Sequence, residues 1–145
     1  MYGKVIFVCS DNTCCSIMAE AVLKSVDRGG LDICSRGLVV LFPEPVNPKA
    51  LEAMETCRLC TDRKYSAGLE AGDLTPDTLV LTMTDREKQQ AKRRFPYAEG
   101  IYSLGEFVGS AVDVEMPYGG TPEDYEKCCE YIDFLVKLAA EILYK

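Results

Sequence analysis

The 145-residue chain contains no histidine. That removes the commonest general base and the commonest metal ligand, so its chemistry has to run on cysteine, carboxylates, serine or tyrosine. Positive charge is also short: 16 Lys and Arg against 23 Asp and Glu leave a net charge of −7. Nucleic-acid and anionic-membrane binding both require phosphate neutralisation, and this balance argues against both. The short basic run Lys92-Arg93-Arg94 reads as the solvated end of a helix. Long apolar runs are missing too. Val5-Ile6-Phe7-Val8 is too short for an export signal or a spanning helix, so a cytoplasmic protein without membrane association is expected. No internal repeat, linker or low-complexity segment breaks the chain. Its length leaves no room for a second core, so one domain over residues 1–145 is expected.

Cysteine, by contrast, is plentiful, with eight residues. In a chain with a full core and no export signal these read as reduced thiols, some of them reactive. Val5–Cys9 is a continuous apolar run that predicts a strand buried on both faces. A helix is expected from about Ser16 to Val26, where Met18, Ala19, Val22, Leu23 and Val26 recur at helical spacing before Gly29-Gly30. Leu31–Ser35 reads as a second strand, and Asn47-Pro48 opens a helix over Lys49–Thr56. Thr78–Thr82 and Ile101–Leu104 are the third and fourth strands, with a charged helix over Asp85–Phe95 between them. Thr121-Pro122-Glu123-Asp124 starts a last helix with an apolar stripe. Strands alternating with helices predict an α/β fold in three layers, a four-stranded parallel sheet covered on both faces, as in flavodoxin- and Rossmann-like proteins. Such folds bind ligands beyond the carboxyl ends of their strands, which directs attention to the loop from Cys9 to Cys15.

A strand, a loop of small polar residues and a helix can aim several N–H groups inward and cradle an anion. A cysteine on the floor of that cradle gains thiolate character. Taken alone, a cysteine ending a buried strand is more often core packing than chemistry. The wider sequence changes this. Val8-Cys9-Ser10-Asp11-Asn12-Thr13-Cys14-Cys15-Ser16-Ile17-Met18-Ala19-Glu20 resembles V-C-x-G-N-x-C-R-S-P-M-A-E, the signature of the low-molecular-weight protein tyrosine phosphatases. Ser35-Arg36-Gly37 resembles that family's S-A-G, and Leu81-Thr82-Met83-Thr84 its L-x-M-D. Leu104-Gly105-Glu106-Phe107 resembles its L-x-E-F, and Met116-Pro117-Tyr118-Gly119-Gly120 its D-P-Y-G-G.

The resemblance implies a phosphomonoester hydrolase. A cysteine thiolate attacks phosphorus, an arginine six residues on holds the equatorial oxygens, and an aspartic acid on a distant loop protonates the leaving phenol. It places the nucleophile on Cys9, the loop-ordering asparagine on Asn12 and the hydroxyl facing the thiolate on Ser16. Ser10, Asp11, Thr13 and Cys14 complete the anion loop, and Tyr118 borders its mouth. The pattern breaks where the reaction needs it. Cys15 stands in the arginine's place and supplies neither bidentate donors nor charge. Asp11 replaces a glycine, adding a carboxylate and removing backbone freedom. Met116 stands in place of the general acid and carries no proton, and Ile17 replaces a proline. Glu115, Arg36 and Lys64 are the neighbouring groups considered as substitutes.

The leading expectation is therefore a catalytically impaired phosphatase homologue, with a phosphotyrosine protein or other regulatory protein as partner. A weakly active phosphatase working through Cys9 is an alternative. So is a thiol redox protein of the arsenate-reductase kind, using Cys9, Cys14 and Cys15. For such a site the Cys9 thiol is expected to titrate below a free thiol's value, helped by the helix end and Ser16. Cys57-Arg58-Leu59-Cys60 has half the spacing of a zinc site but no histidine to complete it, so neither a metal nor a cofactor is expected. Cys34, Cys128 and Cys129 read as packing residues.

Overall fold

The computed structural model describes residues 2–110 and 112–145. Four strands, β1 (Lys4–Cys9), β2 (Asp32–Gly37), β3 (Thr78–Thr82) and β4 (Ile101–Ser103), form one sheet in the order β2-β1-β3-β4. Every pairing is parallel. The register sets Cys9 beside Gly37 and Val8 beside Thr82, so the strand ends and the loops that follow them lie together. Among the described residues five α-helices connect and cover the strands: α1 (Cys15–Ser25), α2 (Pro48–Thr56), α3 (Asp85–Arg94), α4 (Leu104–Val108) and α5 (Pro122–Leu143).

Alternation along β1 divides the core. Val5, Phe7 and Cys9 point to a large cluster built with Met18, Val22, Ile132 and Val136, while Ile6 and Val8 pack with Ala91 and Phe95 of the opposite layer. Central β1 and β3 are buried along almost their whole length. This is why Val5–Cys9 and Leu79–Leu81 read as apolar runs rather than alternating ones.

The helix starts follow from local chemistry. The Asn47 side chain accepts from the Lys49 amide with Pro48 in the first turn. Thr84 and Thr121 each close a capping box, with Glu87 and Asp124 respectively. Two sequence readings shift. The second strand is Asp32–Gly37, starting one residue and ending two residues later than Leu31–Ser35, because edge pairing to β1 rather than apolar character defines it. The fourth strand stops at Ser103, whose hydroxyl caps the short α4 by accepting from the Glu106 amide at 3.1 Å. The sequence reading had no helix there. Among the described residues no helix is long and apolar enough to cross a membrane.

Candidate active site

The loop between β1 and α1 closes around the Cys9 sulfur. Asn12 bends it, with φ at 58°, a conformation that asparagine tolerates better than most residues. The Asn12 amide then donates to Cys9 Sγ at 3.2 Å, and Cys9 Sγ shares a 2.9 Å hydrogen bond with Ser16 Oγ. Gly37 lets the end of β2 approach this bend. A Cβ there would meet the Asp11 carbonyl carbon at 3.0 Å and Asn12 Cβ at 3.1 Å.

Asn12 is fully buried and uses its whole hydrogen-bonding capacity. Its Nδ2 donates to Ser16 Oγ at 2.8 Å and Ser35 Oγ at 3.0 Å. Its Oδ1 accepts from Arg63 Nη2 at 2.8 Å and the Ala67 amide at 2.9 Å. Behind it stands a buried ion network. Glu20, almost fully buried, accepts from Ser35 Oγ (2.6 Å), Arg63 Nη1 (2.9 Å) and Lys24 Nζ (2.8 Å). Arg63 was absent from the sequence reading, which considered its neighbours in role, Arg36 and Lys64. Instead, the Arg36 guanidinium donates to the Ser35 carbonyl and lies 3.8 Å from Asp73, and Lys64 is exposed. The signal for Arg63 was indirect: Glu20 on the inner face of a helix needs a cation.

The remaining loop positions fall as follows. Ser10 is exposed and turns its hydroxyl to Glu87 Oε2 at 2.8 Å. Burial raises the Glu87 carboxyl against the pull of that bond and its cap. Thr13 is buried, and its carbonyl accepts from the Asn47 amide at 2.9 Å. Cys14 is buried as the residue before α1 and offers it no side-chain cap. Asp11 folds its carboxylate over the loop. Oδ1 accepts from the Thr13 amide at 3.2 Å and lies 3.9 Å from Cys9 Sγ, and Oδ2 accepts from the Tyr118 phenol. Gly119, with φ at 71°, makes the turn that carries Tyr118 to this position. The backbone cost foreseen at Asp11 is not there, because Asn12 rather than Asp11 takes the left-handed conformation.

Cys15, in the first turn of α1, is fully buried, and its sulfur lies 3.6 Å from Cys128 Sγ on α5. It therefore faces the helix layer. Met116 packs against the large core cluster, and Glu115 beside it is exposed. These two consecutive residues point apart, as expected of an extended loop.

The Cys9 thiol departs from expectation. Complete burial pushes it up to about 12; Ser16 opposes this through its hydroxyl and amide, and the Glu87 and Asp11 carboxylates reinforce it. Desolvation thus outweighs the two Ser16 hydrogen bonds, and the protonated thiol is favoured at neutral pH. Burial also raises the Tyr118 phenol, helped by its bond to Asp11. Cys57 closes α2 half-buried against Cys129, and Cys60 is exposed. Among the described residues no group of three Cys, Asp or Glu is placed to hold a metal.

The family model described as low molecular weight phosphotyrosine protein phosphatase matches residues 4–145. A relative from Staphylococcus haemolyticus, low molecular weight protein-tyrosine-phosphatase PtpB, is 35% identical over 135 residues, covering 92% of this chain and 94% of its own. The protein-arginine-phosphatase of Bacillus subtilis is 35% identical over 147 residues, covering 97% of each chain. Among solved structures, the YwlE arginine phosphatase from Geobacillus stearothermophilus superposes with a TM-score of 0.91 at 29% identity, over 97% of this chain and 92% of its own.

Proposed function

Because the chain belongs to the low molecular weight phosphotyrosine protein phosphatase family, we propose that it is a catalytically impaired member, a binding or regulatory protein built on a phosphomonoesterase scaffold. The observation that carries this reading is the Asp11 carboxylate. It occupies the Thr13 amide, a loop donor that an incoming phosphoryl group would have to share, and is tied to the Tyr118 phenol at the mouth. A fixed carboxylate there repels a dianion and leaves it fewer partners.

Two further features support it. The arginine position is a thiol facing Cys128, so no guanidinium clamps the equatorial oxygens. A clamp of this kind contributes on the order of 10²–10⁵ in rate. The acid position is a thioether packed into the core, and general acid catalysis contributes roughly 10²–10⁴. A buried, protonated Cys9 also has to lose its proton before it can attack phosphorus. Its partner on this reading is a phosphotyrosine protein or another regulatory protein in the cytoplasm, met at the loop mouth beside Tyr118. The arginine-phosphatase names of two relatives make phosphoarginine a second ligand to test.

Weak residual hydrolysis is the second reading, favoured by the intact Cys9–Ser16 contact and the fully bonded Asn12. Hydrolysis of an aryl phosphate and of phosphoarginine, beside a Cys9→Ser control, separates the two. Turnover that disappears with Cys9 overturns impairment in favour of weak catalysis; equal background rates support impairment.

A further inference from the structure

We propose that Cys15 and Cys128 form a redox-active dithiol that takes hydrogen peroxide as its oxidant and closes to a disulfide joining α1 to α5. This goes beyond the phosphatase reading and does not depend on it. The two sulfurs already lie 3.6 Å apart, although 113 positions separate them in the chain. Bond formation requires a closure of roughly 1.5 Å, to the 2.05 Å of a disulfide. Cys15 begins α1, and Cys128 lies in the second turn of α5, so neither sits in the middle of its helix.

The two thiols are unequal in the way such chemistry needs. Cys128 is only partly buried, and its thiol donates to the Glu115 carbonyl at the surface, 3.7 Å away. Cys15 is sealed. The bond with Cys15 lowers the Cys128 thiol against its burial, while that bond, one with Cys14 and burial raise Cys15. Cys128 is therefore the accessible nucleophile, and Cys15 is the resolving thiol that stays protonated until it is used. Cys57 and Cys129 also face one another, but both thiols are raised, chiefly by burial, so that pair lacks a nucleophile.

The steps balance. The Cys128 thiolate attacks one peroxide oxygen, the S–O bond forms, the O–O bond breaks, and hydroxide leaves. Cys128 is now a sulfenic acid. The Cys15 sulfur attacks the Cys128 sulfur, the S–S bond forms, and the S–O bond breaks. The Cys15 proton goes to the departing hydroxide. Two thiols and one peroxide give one disulfide and two waters.

The test adds hydrogen peroxide in stoichiometric steps to the full chain, blocks free thiols with iodoacetamide and digests with trypsin without reduction. Cys9, Cys14 and Cys15 fall on peptide 5–24 and Cys128 and Cys129 on peptide 128–137, so tandem mass spectrometry must locate each linkage. The expected result is a Cys15–Cys128 link as the first disulfide to accumulate, reversed by dithiothreitol. In Cys15→Ser, Cys128 should stop at the sulfenic acid and be captured by dimedone. In Cys128→Ser, oxidation of Cys15 should slow about tenfold or more, since its thiolate partner is gone. A Cys9–Cys14, Cys14–Cys128 or Cys57–Cys129 link accumulating first would overturn the proposal. So would a Cys15 that stays fully alkylatable while other thiols are consumed. The mapping on the unaltered chain decides without either variant.

Discussion

The Tyr118 phenol donates to the Asp11 carboxylate, joining two loops whose residues stand 107 positions apart. Asp11 stands where the family signature has glycine, and Tyr118 lies two residues beyond Met116, which stands where that signature has aspartate. Removing the charge while keeping the shape tests what the contact does. Asp11→Asn should bind orthovanadate about tenfold more tightly than the unaltered chain, about 1.4 kcal/mol. Tyr118→Phe, which frees the carboxylate without neutralising it, should bind no better. Isothermal titration checks both, and micromolar affinity in the unaltered protein would contradict the reading.

Restoring the lost groups should be strongly non-additive. Met116→Asp alone should leave aryl phosphatase activity at background, since protonating a leaving group helps only once the phosphoryl group is held. Cys15→Arg alone places a guanidinium where a sealed thiol faces α5, so it should lower the melting temperature. Cys15→Arg with Asp11→Gly and Met116→Asp should raise kcat/KM by roughly 10³ or more over the unaltered chain. Steady-state kinetics on an aryl phosphate, with circular dichroism as a folding control, decide it.

Alkylation of Cys9 should show no inflection near neutral pH and should rise steeply only in strong alkali, because burial pushes its thiol up from an ordinary 9.0 to about 12. The same shift fixes a stability trend. Between those two values the unfolded chain has released the proton that the folded chain still holds, so stability falls as pH rises through that window. The contribution is fully present below pH 9.0. Denaturant midpoints measured from pH 8 upward should decline less steeply in Cys9→Ala. An alkylation inflection below pH 6 would reverse the ranking of desolvation over the Ser16 hydrogen bonds.

Arg63→Met should destabilise the fold by about 3 kcal/mol, the lower end for breaking a buried ion pair, because Lys24 still meets Glu20. The melting temperature should drop by about 10 °C for a chain of this size. Arg63→Met with Glu20→Gln should recover part of the loss, since the buried carboxylate that lost its guanidinium is then neutral.

How much of this was legible depended on whether a feature is local. Thr78–Thr82 and the start of α5 follow from their own residues, whereas Asn12 was placed in the loop only by the family resemblance and its left-handed bend was not foreseen. The short α4 was missed although Ser103 and Glu106 spell a capping box, because five residues carry no periodicity. Arg63 and Cys128 were out of reach for a different reason. Arg63 lies 51 positions from Asn12 and Cys128 lies 113 from Cys15, and nothing in a linear reading pairs them. Cys128-Cys129 looked like helix packing throughout. Only Cys129 is fully buried.

The sheet order β2-β1-β3-β4 has a consequence for how the protein is made. β1 is synthesised first but lies inside the sheet, and its second neighbour, Thr78–Thr82, emerges some seventy residues later. The face of α1 that carries Met18 and Val22 stays uncovered until Ile132 and Val136 arrive on α5. Parallel pairings of such separation form slowly, and apolar surface left waiting favours aggregation. During translation the nascent chain therefore carries its sealed thiols, Cys9, Cys14 and Cys15, in the open. Their protection from the solvent is among the last things the ribosome's product acquires.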